Sequence, residues 1–289
     1  MGRARSVLWG IRTSEFVIAA FFAYTTLLAL LLPISHLMRA RVVFTNAGIV
    51  AAYAILAALR RRWQTDWTVA LRDILPLALM LVAYKEMGWF APDTHNYSLE
   101  HSWVVADKLL LNHYGLKPAI EFLGPLLPSV LEICYSLVYA LPVFCVVMLY
   151  VNGRAHRSDE LLTIYLLGLF LSYVQFPFWP SEPPRTVFAG EDLPTVLTVF
   201  RQFNLGLLRS QGIHTSVFPS AHVSGAFAGA FALFGLLEHR RWIAWGTLVY
   251  AVLVSTATVY GRYHYAADAA AGLGVAVVAY ALGRLILRR

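Results

Sequence analysis

Residues 219–237 read PSAHVSGAFAGAFALFGLL, and they predict a helix that crosses a membrane. Nearly the whole stretch is apolar and approaches the ~20 residues that a helix needs to span the hydrocarbon of a bilayer. Ser220 is a strong N-cap residue, and Pro219 before it fits a sharp entry into the helix. Gly225 and Gly229 form a small-xxx-small pair that predicts a close approach of a neighbouring helix. Gly272, in the last apolar run, also predicts a close approach of a neighbouring helix.

Comparable apolar runs bring the predicted number of membrane-spanning helices to about eight. The predicted spans are 16–34, 43–59, 73–90, 126–151, 160–178, 221–237, 242–260 and 267–285. The predicted fold class is all-α, a polytopic helical bundle that forms one integral membrane domain over residues 1–289. The sequence shows no internal repeat of the kind on which many transporters are built.

The composition agrees with a membrane protein. Of the 289 residues 59% are hydrophobic and 13% are charged, and the mean hydropathy is +0.62. A soluble domain carries about a quarter of its residues as charges, so the expected surroundings are a lipid bilayer. The net charge of +7 does not indicate nucleic acid, because the basic residues form short clusters between apolar runs.

The positions of those basic clusters predict the orientation of the chain. If the N-terminus lies inside, every segment that is predicted to lie on the inner side carries arginines. They are Arg3, Arg5, Arg12, Arg60, Arg61, Arg62, Arg72, Arg154, Arg157, Arg240, Arg241, Arg284, Arg288 and Arg289. The positive-inside rule then places both termini in the cytoplasm. The loops 179–220 and 261–266 would face the periplasm, the cell exterior or an organelle lumen.

The outer stretch from about 91 to 120 differs from the apolar runs. It mixes Asp93, Trp103 and Asp107 with apolar pairs, which is typical of a helix that lies in the membrane interface.

Two segments that enter predicted spans carry ionisable side chains. His222 lies two residues after the predicted cap at Ser220, where free backbone N–H groups and the positive helix end favour an anion. A histidine at the mouth of a span is a candidate functional group. The alternative is a histidine that only forms a hydrogen bond at the interface.

The second segment is YGRYHYAAD at residues 260–268. His264 and Asp268 are four residues apart and would share one face at the start of a helix. A carboxylate bound to one ring nitrogen fixes the tautomer and leaves the other nitrogen free to attack or to exchange a proton. A purely structural pair is the alternative, but both segments are predicted to open to the same side.

Together these motifs resemble the type 2 phosphatidic acid phosphatase superfamily. Pro219 to His222 is similar to its second signature motif, and His264 to Asp268 is similar to its third. The segment FPFWPSEPPR at residues 176–185 is similar to the proline-rich stretch of the inositol-phosphorylceramide-synthase-like branch. The resemblance covers about residues 160–285 and implies a six-helix core for the catalytic region.

The resemblance also implies roles for individual residues. His264 would be the nucleophile that forms a phosphohistidine, with Asp268 orienting it. His222 would protonate the leaving alcohol and then activate the acceptor. Ser220 and Arg185 would hold phosphate oxygens. This arrangement suits phosphoryl transfer, where positioning and positive charge do most of the work.

The chain departs from the family pattern at two basic positions. Phe178 stands where the first motif has a lysine, and Thr258 stands where the third motif has an arginine. Arg262, Arg201 or Arg209 would supply the missing charge, although each is also an ordinary candidate for a loop cation. The third motif without its upstream arginine resembles sphingolipid synthases, which favours transfer to an alcohol.

The expected partners are a membrane lipid phosphate and, for a transferase, a lipid or inositol hydroxyl. No cofactor and no metal ion are expected, because the nine histidines include no close pair of metal-ligand spacing. Two other classes stay open: a non-enzymatic lipid transporter, and a degenerate family member that binds phospholipid without turnover.

Overall fold

The computed structural model describes residues 10–63, 65–92, 94–213, 215 and 217–288, and within these ranges it contains helices and no strand. The all-α fold is therefore confirmed. The α-helices are α1 (Thr13–Leu31), α2 (His36–Arg62), α3 (Asp66–Met87), α4 (Ser98–Lys108), α5 (Leu116–Glu121), α6 (Leu126–Leu137), α7 (Leu141–Val151), α8 (Ser158–Tyr173), α9 (Pro184–Val187), α10 (Val199–Gln211), α11 (Ala221–Leu236), α12 (Arg241–Tyr260) and α13 (Ala266–Leu287).

Seven helical segments of the described chain are long and apolar enough to cross a membrane, which confirms a multi-pass protein. They are Thr13–Leu31, His36–Arg62, Asp66–Phe90, Leu126–Val151, Ala155–Phe178, Glu238–Tyr260 and Ala266–Leu287. The remaining predicted span, 221–237, corresponds to α11, which has 16 residues and is shorter than the others. The span 126–151 is not one continuous α-helix, because the 3₁₀ turn Val138–Ala140 separates α6 from α7.

The stretch predicted to lie in the interface folds as α4, a π-helical turn over Leu109–His113, and α5. Asp107, near the end of α4, is completely buried, whereas an interfacial helix would expose such a carboxylate to water. Asp93, which belonged to the same prediction, lies outside the described residues.

Helix α8 lies at the centre of the bundle and packs against α1, α3, α11 and α13. Small residues allow this approach, since a Cβ atom on Gly168 of α8 would come within 2.6 Å of the Ala228 Cβ. On α11, a Cβ atom on Gly229 would lie 3.0 Å from the Tyr165 ring. The predicted role of the glycines of α11 in close helix packing is confirmed.

The starts of α11 and α13 lie side by side. The Ser220 N–H donates to the backbone oxygen of Asp268 at 3.0 Å. The Ser220 hydroxyl accepts from the Val223 N–H at 3.4 Å and caps α11, as its residue type predicts. A Cβ atom on Gly272 would meet the Ser220 backbone oxygen at 2.6 Å, so the two helix starts can be this close only with glycine at that position.

We expect Gly272→Ala to destabilise the protein. The added methyl group would meet backbone, which cannot turn away as a flexible side chain can, and overpacking of this kind costs roughly 1–3 kcal/mol. The check is the apparent Tm of the purified protein in detergent. Gly274→Ala is the matched control, because it lies on the same helix and a Cβ atom there has no neighbour within 4 Å. Equal Tm values for the two variants would contradict the packing argument.

Candidate active site

The two histidines singled out from the sequence face each other across a short gap. His264 Nε2 lies 3.4 Å from His222 Nδ1, although the residues belong to different helix starts. His264 Nδ1 lies 3.3 Å from Asp268 Oδ2. The same carboxylate oxygen accepts the backbone N–H of Tyr265 at 2.9 Å. Asp268 thus orients the His264 ring and also holds the first turn of α13.

These contacts define which nitrogen of His264 is available for chemistry. We assign the proton of the neutral His264 ring to Nδ1, since a carboxylate accepts hydrogen bonds, and Nε2 then keeps its lone pair towards His222. His264 is only 5% exposed and Asp268 is fully buried. The 3.4 Å gap is too short to hold a phosphoryl group between the rings, so a bound phosphate would have to separate them.

Asp107 of α4 fixes the loop that carries His264. Its Oδ2 atom forms a fully buried ion pair with Arg262, and its Oδ1 atom accepts the backbone N–H of Ala266 at 2.8 Å. Arg262 has a φ of +58°, a left-handed conformation that a residue with a side chain rarely adopts. One carboxylate therefore holds the chain on both sides of His264.

A second buried carboxylate supports the floor of the site. Glu132 of α6 accepts the Tyr263 hydroxyl at 2.6 Å and pairs with Arg201 at 3.0 Å. Arg201 also donates to the Gly261 backbone oxygen at 3.2 Å. The Tyr263 ring stacks on Tyr135 with centroids 4.0 Å apart, and this stack lies directly beside His222.

A cavity of about 440 Å³ joins these histidines to the surface of the bundle. Its polar end contains Arg185, His222 and His264, and most of its wall is apolar. Ile74 and Leu81 of α3, both of which line the cavity, are more than half exposed on the outside of the bundle. The cavity therefore reaches a side of the protein that would face lipid tails rather than water.

The structure brings only one of the four proposed arginines into this cavity. Arg185 lines it next to the histidines, with its guanidinium 5.5 Å from the centre of the Tyr263 ring. Arg262 and Arg201 are held in the buried pairs described above, and Arg209 lies exposed on α10. Ser220 is fully buried at the start of α11 and is not part of the cavity wall.

Sequence reasoning missed three residues that shape the site. The Tyr139 hydroxyl lies 3.1 Å from His222 Nε2, and the carboxylates of Asp107 and Glu132 hold the loop that carries His264. Glu132 could have been predicted from the sequence, since an acidic residue within an apolar span is energetically costly and is a functional candidate by default. Tyr139 could not have been predicted in this way, because tyrosine is common in membrane helices.

The electrostatic surroundings of His264 favour its neutral form. Burial away from water lowers the pKa of its imidazole to about 3, and the positive charge of Arg185 acts in the same direction. A neutral imidazole is the form that can attack phosphorus. Among the described residues, no group of three or more His, Cys, Asp or Glu side chains is arranged to hold a metal ion.

Fold and site together define a multi-pass membrane protein with a His–His–Asp cluster at the polar end of a largely apolar cavity. The sequence profile of the PAP2 superfamily matches residues 108–282. The chain therefore belongs to the PAP2 superfamily. This membership supports a phosphatase-type function.

One relative is a PA-phosphatase related-family protein of Dictyostelium discoideum. It is 27% identical over 182 residues, an alignment that spans 54% of this chain and 32% of the relative. The matched part is thus about a third of that longer protein. No solved structure shows a significant match to the chain.

We expect His264 to stay neutral from pH 8 down to pH 5, because its pKa lies near 3 instead of at the usual value of about 6.5. Nitrogen NMR of histidine-labelled protein in detergent micelles measures this, with His264→Gln to assign the signal. Arg185→Gln should raise the pKa of His264, since it removes a neighbouring positive charge. A titration midpoint near 6.5 in the unsubstituted protein would contradict this account.

Proposed function

We propose that this protein transfers the phosphoryl group, or a phospho-headgroup, of a membrane lipid through a phosphohistidine on His264. The observation that carries the proposal is the cavity that places His264, His222 and Arg185 at the end of an apolar passage from the side of the bundle. A lipid could keep its tails in that passage while its phosphate reaches the histidines.

In the first step, His264 Nε2 attacks phosphorus and the bond from phosphorus to the lipid oxygen breaks. The negative charge of the bound phosphate favours the imidazolium form of His222, and the Nδ1 proton of this imidazolium goes to the lipid oxygen, which leaves as the lipid alcohol. Asp268 stabilises the positive charge that develops on the His264 ring. The Tyr139 hydroxyl beside His222 Nε2 holds that ring with Nδ1 towards the reacting group.

In the second step, an acceptor hydroxyl gives its proton to His222 and attacks the phosphohistidine. The bond from nitrogen to phosphorus breaks, and His264 is regenerated with its lone pair. Water as the acceptor would give a lipid phosphatase. An inositol or lipid hydroxyl would give a headgroup transferase.

Arg185 is the one permanently charged side chain among the described residues of the cavity wall. In a site that excludes water, a fixed cation stabilises the negative charge of a transferring phosphoryl group far more than it would in solution. The free N–H groups at the start of α11, next to Ala221 in the cavity wall, would add to this stabilisation. Arg185 thus takes most of the role shared by several basic residues in the usual family pattern.

Two observations favour different acceptors. Membership of the PAP2 superfamily supports hydrolysis, while the resemblance to inositol-phosphorylceramide synthases supports transfer. Incubation with headgroup-labelled lipid phosphates and phosphoinositides, with and without free inositol or a lipid alcohol, separates them. Free phosphate in every incubation identifies a phosphatase, and label on the alcohol identifies a transferase.

The arginine distribution supports a site on the side away from the cytoplasm, with both termini inside. Arg157 donates to the Gly235 backbone oxygen at 2.9 Å, at the end of α11 remote from His222. Arg12 pairs with Asp73 near the start of α3. The basic clusters thus gather at one end of the bundle, and the histidines lie at the other end.

We expect His264→Ala to lower turnover by at least about 1,000-fold and His222→Ala by about 100- to 10,000-fold. His239→Ala is the control, because His239 is exposed at the opposite end of the bundle. Each variant should keep the Tm of the unsubstituted protein within a few degrees. Retained turnover by folded His264→Ala would refute the phosphohistidine. Absence of a trapped label on His264 with every lipid would instead favour a transporter or a binding protein without turnover.

We expect Tyr139→Phe to lower kcat by about 2- to 10-fold, the usual effect of losing one neutral hydrogen bond. The variant keeps the ring that lines the cavity, so KM for the lipid should change little. Steady-state kinetics on the two proteins measures both constants. An unchanged kcat with a raised KM would mean that Tyr139 only contacts the lipid.

A further inference from the structure

A second and larger cavity lies between α1 and α2, at the end of the bundle away from the histidines. Its volume is about 750 Å³, within the roughly 300–1,000 Å³ of ordinary ligand sites. Along α1 it extends from Glu15 to Thr26, a length of about 16 Å at 1.5 Å per residue. That length corresponds to about half of the ~30 Å hydrocarbon thickness of a bilayer.

The two ends of this cavity have opposite character. Its mouth is lined by Arg60 and Arg61 of α2, and also by the pair formed by Arg72 and Glu15. Its interior is lined mainly by small and apolar side chains such as Ile18, Ala19, Phe22, Ala47 and Val50, and the polar pair Thr26 and Asn46 lies at its far end. A cationic mouth above an apolar interior, aligned with the helices, complements an anionic lipid in the leaflet.

The charges at the mouth do not cancel. Arg72 binds both carboxylate oxygens of Glu15 at 2.5 Å, so this pair is neutral as a whole. Arg60 and Arg61 are exposed, and neither has an ion-pair partner in the described part of the chain. Two positive charges are therefore available to a ligand at one point of the membrane surface.

Tyr53 adds a polar group at a second depth. Its hydroxyl is buried without a hydrogen-bond partner in the described chain, and the residue lines the cavity. A buried hydroxyl is costly unless it is hydrogen-bonded. Tyr53 precedes Arg60 by seven residues, or about 10 Å along the helix, where the ester carbonyl of a lipid would accept a hydrogen bond.

We propose that this cavity binds one anionic phospholipid, with its phosphate on Arg60 and Arg61, its ester region beside Tyr53, and an acyl chain between α1 and α2. The site is separate from the catalytic cavity and does not depend on the reaction proposed above. Glu15, Arg12 and Asp73, the other charged groups near the mouth, are engaged in their own ion pairs.

The experiment measures lipid binding to the purified full chain in a non-ionic detergent. Phosphatidylglycerol and phosphatidylcholine are titrated separately, and native mass spectrometry and the apparent Tm report binding. We expect phosphatidylglycerol to bind with saturation and to raise the Tm more than phosphatidylcholine does. Arg60→Gln and Arg61→Gln should each weaken this binding about tenfold, the effect of losing one charge-assisted hydrogen bond.

Arg62→Gln is the matched control, because Arg62 is the next residue and lies over the Trp63 ring instead of lining the cavity. It should bind phosphatidylglycerol as the unsubstituted protein does. Tyr53→Phe should raise the Tm without lipid, since an unpaired hydroxyl is removed, and should weaken lipid binding.

Equal binding of the two lipids, or equal loss in Arg61→Gln and Arg62→Gln, would overturn the proposal. So would a phosphatidylglycerol effect that accompanies a change in oligomeric state, because the cavity would then be a contact between two copies of the chain. Turnover of the lipid phosphate by Arg60→Gln and Arg61→Gln should stay normal, which separates failure here from failure of the catalytic proposal.

Discussion

The buried ion pair between Asp107 and Arg262 is the constraint on which the geometry of the site depends. The loop from Gly261 to Tyr265 must turn sharply between two membrane helices and must hold an imidazole away from water. It does so with Arg262 in a left-handed conformation, which costs free energy on its own. Asp107 compensates by binding the Arg262 side chain and the first N–H of α13. Helix α4, outside the membrane spans, thus determines the position of His264.

Two buried carboxylates also explain why the charge around the site is sparse. Arg262 and Arg201 balance Asp107 and Glu132, and removal of one partner from such a pair leaves an uncompensated charge at a cost of roughly 3–5 kcal/mol. Neither arginine can move to a phosphate without that cost. The positive field beside the two histidines therefore comes from Arg185 and from the start of α11. Since Phe178 and Thr258 are not basic either, Arg185 is the one permanently charged side chain that lines the described cavity.

The sequence was sufficient for those parts of the structure that depend on local patterns. Apolar run lengths predicted the helices, and the four-residue spacing of His264 and Asp268 predicted their contact. Contacts between distant segments left no local signal: Arg262 and Asp107 are 155 residues apart, and Arg201 and Glu132 are 69 apart. Each arginine looked like a free loop cation because its partner lies in another helix. The short length of α11 could not be predicted either, since residues 221–237 are as apolar as those of a longer membrane-spanning helix.

Helix packing differs between two parts of the bundle. One is the contact of α8 with α11, beside the histidines, and the other is the groove between α1 and α2. Around α8 and α11, glycines bring backbones so close that the Ser172 and Ser224 hydroxyls lie 2.9 Å apart. Close packing of this kind leaves the helix that carries His222 little freedom to move. Helix α2 packs mainly against α1 and α3, and the larger cavity lies between it and α1. The acyl chain proposed for this groove would need no rigid wall, because a fluid chain adapts to the space between two helices. The described chain therefore combines close helix packing beside the two histidines with an open groove between α1 and α2.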